Sequence, residues 1–384
     1  MFDDTIEILE RLIGFESISS DSNLALIDYA ADYLAEYGAH IEITHDASGT
    51  KGNLFATFGP MGDGGIILSG HSDVVPTEGQ DWTSDPFTLR RADGRLYGRG
   101  SCDMKGFIAC AMALAPRLAK ANLNRPLHIA LSYDEETGCL GAPVMLAALA
   151  KRGIHPAICI VGEPTGMRLI NGHKGCCEYQ TRFVGLEGHG SMPDAGVNAA
   201  EYAVRYVAEL MAISDQLRSR APADSPFDPP WTTINIGRIV SGVATNVIPN
   251  KAEIDWEFRP VTDEDFSFVR QRISDYAQNV LLPQMRARHP AASVETETIA
   301  EVVGLEPEVE GAAEKLVAAL TGANTASTVP FGTEAGLFRG YGISTVVCGP
   351  GEIAQAHKPD EYVSEVQLRQ CLTMMDRLFA RISA

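Results

Sequence analysis

The sequence has no apolar run long enough to span a bilayer and no excess of positive charge. Among its 384 residues, 31 are Lys or Arg and 50 are Asp or Glu, so the formal net charge is −19. Nucleic acids and anionic membranes bind basic surfaces, and this balance argues against both as partners. The acidic start, Met1 to Asp4, lacks the basic and apolar regions of a secretory signal, which favours a cytoplasmic protein.

Cysteine pairs at redox or zinc-finger spacing are also missing. The eight cysteines are scattered without a Cys-x-x-Cys motif, and Cys176 and Cys177 are adjacent, a poor geometry for a disulfide between them. We therefore expect reduced thiols, as in cytoplasmic proteins. There is no internal repeat and no low-complexity segment. Hydrophobic residues make up 45% and charged residues 21% of the chain, which is typical of a globular protein with a large core.

The chain is long enough for two domains, and its hydrophobic pattern changes along its length. Apolar runs alternate with helical periodicity in the first part, which predicts an α/β domain with a mostly parallel sheet. A long loop over 76–100 interrupts this pattern. The strands predicted there are 53–58, 66–71, 127–133 and 157–161, and the helices are 3–14, 22–37, 107–118 and 141–152.

A different pattern follows, in the order β-α-β-β-α-β, which predicts a ferredoxin-like α+β unit inserted at 175–302. Its strands have one apolar side, as expected for an antiparallel sheet covered on one face by two helices. The first pattern then returns, so 1–174 and 303–384 are predicted to form one domain. The remaining predicted elements are strands 177–184, 232–240, 252–258, 292–299 and 344–348, and helices 198–211, 263–280, 311–320 and 364–382.

His71 and Asp73 follow the apolar run Gly65 to Ser69 and therefore lie at the carboxyl end of a predicted strand. This edge of an open α/β sheet is where ligands gather. The two side chains point to one face of an extended backbone, and an imidazole backed by a carboxylate suits a metal ligand with its supporting partner. A purely local His–Asp pair is the alternative.

Acidic residues and a histidine recur at other strand ends and in glycine-rich loops. Burying carboxylates without partners is costly, so their placement along one sheet edge favours a shared cation. Histidine with carboxylate oxygen matches zinc better than calcium, and the number of ligands suits two metals bridged by one carboxylate. These positions are Asp103, Glu135 with Glu136, Glu163 and His357.

Glu135 and Glu136 are adjacent at a predicted strand end, where neighbouring side chains diverge. One carboxylate is therefore able to bind metal while the other stays free as a general base. A solvated acidic turn is the alternative for this pair.

These motifs, in this order, resemble the M20 family of metallo-amidohydrolases and peptidases, and the resemblance runs from about Leu12 to Tyr362. It implies a metallopeptidase-like catalytic domain with an inserted lid and dimerisation domain, and a homodimer formed through that insert. It implies Zn²⁺, one or two ions per subunit, with Co²⁺ able to substitute. The ligands would be His71, Asp103 as the bridge, Glu136, Glu163 and His357.

The resemblance also assigns roles outside the ligand set. Glu135 matches the general base and Asp73 the carboxylate that orients His71. His189, in Gly-His-Gly-Ser-Met-Pro, matches a histidine that reaches the partner's site and holds the carbonyl oxygen. Asn246 and Arg259 match lid positions that grip the substrate, Arg259 through its carboxylate. His189 as an ordinary surface residue, and Arg259 paired with Glu257 or Asp255, are the alternatives.

Within the family, Phe331 to Ala335 and Gly349 to Glu361 resemble the acetylornithine deacetylases, with Gly332 where cysteine is expected. The expected activity is hydrolysis of a small N-acyl amino acid, N2-acetyl-L-ornithine, to L-ornithine and acetate, as in arginine biosynthesis. Specificity would depend on the lid and on the loop at Thr333. The alternatives are a desuccinylase, aminoacylase or dipeptidase, and, more remotely, a metal-dependent binding protein without catalysis.

Overall fold

The computed structural model describes residues 1–384, which form two compact units. Unit 1 comprises 1–172, 305–328 and 333–384, and unit 2 comprises 173–304 with 329–332. The helices are α1 (Phe2–Ile13), α2 (Leu24–Glu36), α3 (Gly106–Met112), α4 (Ala115–Leu118), α5 (Gly141–Arg152), α6 (Ala199–Ser219), α7 (Asp263–Tyr276), α8 (Leu282–Arg286), α9 (Ala312–Thr321), α10 (Ala335–Gly340) and α11 (Glu365–Ile382).

Strands build four sheets. They are β1 (His40–His45), β2 (Gly52–Phe58), β3 (Ile66–His71), β4 (Arg90–Ala92), β5 (Arg95–Tyr97), β6 (Leu127–Ser132), β7 (Ile158–Pro164), β8 (Ile170–His173), β9 (Cys176–Val184), β10 (Gly188–His189), β11 (Thr233–Ser241), β12 (Val247–Ile248), β13 (Lys251–Arg259), β14 (Ser293–Val302), β15 (Ser327–Val329), β16 (Ser344–Gly349) and β17 (Tyr362–Ser364).

The large sheet has the order β1-β2-β6-β3-β7-β16-β8-β15. Its four central strands, β6, β3, β7 and β16, are parallel to one another, whereas β2 and β8 join them antiparallel. The α/β prediction is therefore confirmed, with a parallel centre and antiparallel flanks. The buried face of α1 and the fully buried α3 pack in its main core. Parallel strands bring their carboxyl ends to one edge, and this arrangement positions the site.

Unit 2 contains an antiparallel sheet with the order β11-β13-β9-β14. The inward side chains of β9 and β13 alternate with outward polar ones, and the long helices α6 and α7 contribute to the same apolar core. The sequence of elements is the predicted β-α-β-β-α-β order. A small ribbon of β10 and β12 lies outside this sheet. The function of unit 2 as a lid and dimerisation domain stays a prediction.

Several elements differ from their predicted bounds. The helix expected over 107–118 is interrupted between α3 and α4 because Pro116 has no N–H and its ring clashes with the carbonyl four residues back. Helix α6 continues beyond the predicted Met211 because Ile213 and Leu217 extend its buried face. Strand β1 was missed although Ile41 and Ile43 alternate with polar residues, which is a strand signal.

The structure also bears on the cysteines and on membrane-spanning helices. All eight cysteines are free, as predicted. No helix combines the length and apolar character needed to cross a membrane. The predicted loop over 76–100 includes the short strands β4 and β5, which form a three-stranded sheet with β17.

Candidate metal centre

The carboxyl edge of the parallel strands collects the predicted ligands of unit 1. His71 is the last residue of β3, Glu135 and Glu136 follow β6, and Glu163 lies within β7, which continues past the predicted strand end at Val161. The strand reaches Glu163 through Gly162, where an added Cβ would lie 2.0 Å from the Phe107 ring. Only glycine fits at that close approach, so the packing of α3 against β7 fixes the position of Glu163.

Two histidines share one carboxylate at the centre of this edge. His71 Nε2 lies 3.0 Å from Asp103 Oδ1, and His357 Nε2 lies 3.4 Å from Asp103 Oδ2. Each oxygen of Asp103 therefore faces a different histidine, as a bridging carboxylate would. His71 Nε2 is also 3.8 Å from Glu163 Oε1, and His357 Nε2 is 3.0 Å from Glu136 Oε2. The contacts thus group His71 with Glu163 and His357 with Glu136.

Unusual backbone conformations support two parts of this arrangement. His357 has φ of 61° and Asp134, directly before Glu135, has φ of 53°, both in the left-handed region. Residues other than glycine adopt this region at a cost, and such residues cluster at functional sites. Both segments are therefore held in place by their surroundings.

The charges at this edge fit a bound cation. Glu163 Oε1 is buried without a hydrogen-bond partner, which leaves an anionic oxygen uncompensated. Burial and the neighbouring Asp103 raise the pKa of both Glu163 and Glu136, and burial with the Glu136 charge raises that of Glu135. Four carboxylates so close together need positive charge to ionise together. Imidazole nitrogen and carboxylate oxygen are a donor set that suits zinc.

The histidines respond in the opposite direction. Burial alone would lower the pKa of His71, but its hydrogen bond to Asp103 and the charge of Glu163 outweigh burial and raise it. Hydrogen bonds to Asp103 and Glu136 raise the pKa of His357 to about 10. Burial opposes ionisation of Asp103, yet hydrogen bonds from both histidines lower its pKa. The carboxylates around the two histidines thus favour positive charge at this edge.

Asp73 supports the site differently from the prediction. His71 Nδ1 donates to the backbone carbonyl of Asp73 at 2.9 Å, whereas the Asp73 carboxylate is 3.6 Å away. That carboxylate instead accepts hydrogen bonds from the backbone N–H groups of Glu135 and Glu136, at 3.1 and 3.3 Å, and from the Ser19 hydroxyl at 2.7 Å. In this structure, Asp73 orients the imidazole through its backbone and fixes the glutamate pair through its side chain.

The two glutamates occupy different surroundings. Glu136 contacts His357, whereas Glu135 Oε1 lies 3.5 Å from Cys139 Sγ. Proximity alone also groups Glu135 with His71 and Glu163, within 4.8 Å of one another, so distance by itself leaves Glu135 eligible as a ligand. The direct histidine contacts distinguish the pair, because only Glu136 reaches one.

In unit 2, His189 and Asn246 are neighbours. Gly190 donates its N–H to the Asn246 carbonyl at 2.7 Å, and His189 pairs with Val247 in the small ribbon. His189 Nδ1 accepts a hydrogen bond from the Ser191 backbone N–H at 3.2 Å. A backbone N–H is only a donor, so Nδ1 must be the acceptor. The proton of the neutral ring is therefore on Nε2, which makes Nε2 a hydrogen-bond donor. Both side chains are exposed.

Arg259 forms the ion pair that was its alternative assignment. Its Nη2 lies 3.0 Å from Glu257 Oε2, and both side chains are partly exposed. Asp255 is engaged elsewhere, with Arg238 at 2.6 Å. A substrate carboxylate at Arg259 would compete with Glu257 for the guanidinium.

Thr333 is fully buried, and its hydroxyl accepts a hydrogen bond from the Ala335 N–H at 3.1 Å. This contact supports the first turn of α10. The next residue, Glu334, was given no role by the sequence argument. Its carboxylate is buried and accepts hydrogen bonds from Ser69 and Ser132 at 2.6 and 2.7 Å. It thereby links α10 to the two strands that carry His71 and lead to Glu135.

Sequence reasoning also missed the buried pair of Arg99 and Glu361. Glu361 lies in the stretch that follows His357, so its position was a usable signal. Arg99, between two glycines in a loop, gave none. The guanidinium and carboxylate are 2.6 Å apart, and each side chain is 1% exposed.

The sequence also matches a known protein family and named relatives. The model of peptidase family M20/M25/M40 matches residues 67–381. The acetylornithine deacetylase of Myxococcus xanthus is 36% identical over 383 residues, 97% of this chain and 96% of the relative. The acetylornithine deacetylase of Proteus mirabilis (strain HI4320) is 36% identical over 382 residues, 97% of this chain and 95% of the relative.

Solved structures share the fold at low sequence identity. The M20 family metallo-carboxypeptidase Sso-CP2 from Sulfolobus solfataricus has a TM-score of 0.78 at 17% identity, with 99% of each chain covered. The YXEP protein of Bacillus subtilis, described as a dinuclear metal binding peptidase, has a TM-score of 0.66 at 17% identity, covering 100% of this chain and 98% of that one. The family match over most of the chain and the full-length relatives lead to one conclusion: the chain belongs to peptidase family M20/M25/M40 and is a hydrolase of that family.

Proposed function

We propose that this protein hydrolyses N2-acetyl-L-ornithine to L-ornithine and acetate, a step of arginine biosynthesis. The observation that carries the proposal is Asp103 between two histidines, with Glu135 beside them, in a chain 36% identical to acetylornithine deacetylases. The cluster contains the groups that hydrolysis needs, and the names of the relatives suggest the substrate.

The proposed metal ligands follow the contacts of the two histidines. His71, Asp103 and Glu163 would hold one Zn²⁺ ion, and His357, Glu136 and the same Asp103 would hold the second. Such a metal pair polarises a carbonyl and lowers the pKa of water from 15.7 toward about 7. The buried, unpartnered oxygen of Glu163 supports this assignment. Co²⁺ is a proposed substitute with similar ligand preferences.

Glu135 is the proposed general base. Its carboxylate takes a proton from the attacking water and returns that proton to the leaving amine. Asp73 keeps Glu135 and Glu136 in position through their backbone N–H groups. These contacts would be the same if Glu136 were the base and Glu135 the metal ligand. The contact of Glu136 with His357 supports this assignment, because it leaves Glu135 available for proton transfer.

Unit 2 supplies the proposed substrate contacts. His189 Nε2–H is the proposed donor to the carbonyl oxygen, an effect worth about 3–4 kcal/mol per donor in similar sites. Asn246, directly before β12, lies beside it, and Arg259 would exchange Glu257 for the substrate carboxylate. Thr333, being buried, would act by shaping the loop that precedes α10.

We further propose a cytoplasmic homodimer formed through unit 2. The outer face of α6 exposes Val204 and Met211, each 62% accessible, and Ile239 on the edge strand β11 is 50% accessible. An apolar helix face beside an unpaired strand edge suits a two-fold interface. The eight free thiols support the location.

Metal-reconstituted protein tests the activity directly. We expect ornithine release from N2-acetyl-L-ornithine, and little or no diaminopimelate release from N-succinyl-diaminopimelate at equal concentration. Preference for the succinylated substrate, or release only from dipeptides, would overturn the proposed substrate within the same family. Full metal occupancy without turnover on any N-acyl amino acid would favour the non-catalytic alternative.

A further inference from the structure

The buried pair of Arg99 and Glu361 connects the two loops that bring Asp103 and His357 together. Glu361 Oε1 accepts hydrogen bonds from the backbone N–H groups of Cys102 and Asp103, at 2.9 and 3.0 Å. Its other oxygen, Oε2, accepts from Arg99 Nη1 at 2.6 Å. One carboxylate therefore fixes two successive amides of the turn that presents Asp103, and an arginine fixes the carboxylate.

Arg99 reaches the second loop as well. Its Nη2 donates to Gln80 Oε1 at 2.6 Å, and Gln80 Nε2 donates to the backbone carbonyl of His357 at 3.1 Å. The Trp82 indole N–H donates to the same Gln80 oxygen at 3.0 Å, and Arg99 Cζ lies 5.1 Å from the Trp82 ring. A continuous chain of contacts thus runs from the amide of Asp103 to the carbonyl of His357.

Burying this charged pair costs free energy, so we expect a role that offsets the cost. Both side chains are 1% exposed, and Arg99 Nε has no hydrogen-bond partner. A buried ion pair rarely adds stability over apolar residues of the same size, because desolvation offsets the attraction. A fixed guanidinium fork, however, holds several acceptors at set distances. Here those acceptors lead to both groups that face the second proposed metal position.

We propose that Arg99 and Glu361 are positioning residues that set the separation of Asp103 and His357, and thereby the affinity of the second metal position. This inference rests on the proposed ligand assignment. It assigns no direct contact with metal or substrate to either residue. His71 and Glu163 are carried by β3 and β7, so the first position should depend less on the pair.

The test measures Zn²⁺ binding by the metal-stripped full-length protein in competition with a chromophoric chelator. Wild type should bind two equivalents. In Glu361→Gln and Arg99→Met we expect the second equivalent to weaken at least tenfold, with the first changed less than threefold. Arg99→Lys should be intermediate, since an ammonium is able to reach Glu361 but lacks the fork that also reaches Gln80. At saturating metal, the fold decrease in kcat of these variants should exceed the fold change in KM.

Two further variants separate positioning from folding. Gln80→Leu cuts the link to the His357 loop while leaving the buried charges paired, and it should weaken only the second equivalent, at least threefold. Arg91→Met removes an exposed arginine paired with Glu365 at 2.7 Å, and it serves as a control expected to bind as wild type does. Apo-protein melting temperatures and circular dichroism identify any variant that is unfolded in the assay.

The outcomes are distinguishable. The positioning role is refuted if wild type binds two equivalents of Zn²⁺ and every folded positioning variant binds both with the same affinity as wild type. These variants include Gln80→Leu and Arg99→Lys. Equal weakening of both equivalents would also refute it, since that result indicates a general structural role. If wild type itself binds no Zn²⁺, the ligand assignment under the proposed function fails first.

Discussion

The assignment of Glu135 as base and Glu136 as ligand makes opposite predictions for the same substitution at adjacent positions. Glutamine keeps the size of glutamate and removes the proton acceptor. Glu135→Gln should therefore retain both metal equivalents and lose turnover. Glu136→Gln should lose much of the second equivalent, because its carboxylate contacts His357 at 3.0 Å.

The expected size of the loss follows from the contacts. Glu135 has no direct histidine contact of this kind, and its backbone N–H remains bound to Asp73 in the variant. The change therefore removes chiefly proton transfer, which is commonly worth about 10²–10⁴-fold in rate. At about 1.36 kcal/mol per tenfold, this corresponds to about 2.7–5.4 kcal/mol in the activation barrier. We expect kcat to fall by that factor with KM changed little.

Metal content by elemental analysis and ornithine release should be measured on the same preparations. Wild type and Glu136→Gln provide the matched controls, and thermal melts check that each variant is folded. Loss of a full metal equivalent in Glu135→Gln, with occupancy preserved in Glu136→Gln, would show that the two roles are reversed. Retention of more than a tenth of wild-type kcat in Glu135→Gln would refute its role as the base.

Three other predictions concern unit 2 and the core. Arg259→Met should leave metal content unchanged and lower kcat/KM for N2-acetylornithine much more than for its carboxamide; an undiminished preference for the acid would exclude Arg259 as the carboxylate clamp. A heterodimer of Glu135→Ala and His189→Ala subunits, purified through two tags, should recover about half of wild-type activity per dimer if His189 acts in the partner's site, and a heterodimer as inactive as its parents would exclude this. Burial lowers the pKa of His128 to about 4, below the unfolded value of 6.5, so the unfolded state binds the proton first and stability is lost as pH falls from about 6.5 towards 4. By linkage, wild type should lose about 2 kcal/mol more than His128→Gln between pH 7.5 and 5 in denaturant titrations, and equal losses would refute this contribution.

Local sequence patterns were sufficient to predict a helix or strand where burial and periodicity agree. Strand β3 was predicted with its observed bounds because its six residues are all buried and end in His71. The order β-α-β-β-α-β was readable because the strands of unit 2 alternate buried and outward residues. The helix over 107–118 was predicted too long, since apolar character alone does not register the break that Pro116 imposes.

The residue types of the site could also be read from the sequence, because carboxylates and histidines after apolar strands are unusual without a compensating charge. The family resemblance then divided them between two proposed metal positions. His71 lies near Glu163 and His357 contacts Glu136, which is the same grouping, and the roles of these residues stay predictions. Asp73 shows the limit of motif reasoning, because its backbone carbonyl, rather than its carboxylate, is the nearer partner of His71.

The sequence by itself thus determined the two classes of architecture, the strand ends and the chemical groups that meet at them, since these depend on local periodicity and on the cost of burying charge. Only the tertiary structure decided which oxygen of Asp103 faces which histidine, and that Arg99, Gln80 and Glu361 join loops far apart in the chain. Arg99 and Glu361 are 262 positions apart. No local pattern encodes such a contact, because it forms only when the sheet order brings the two segments to the same edge.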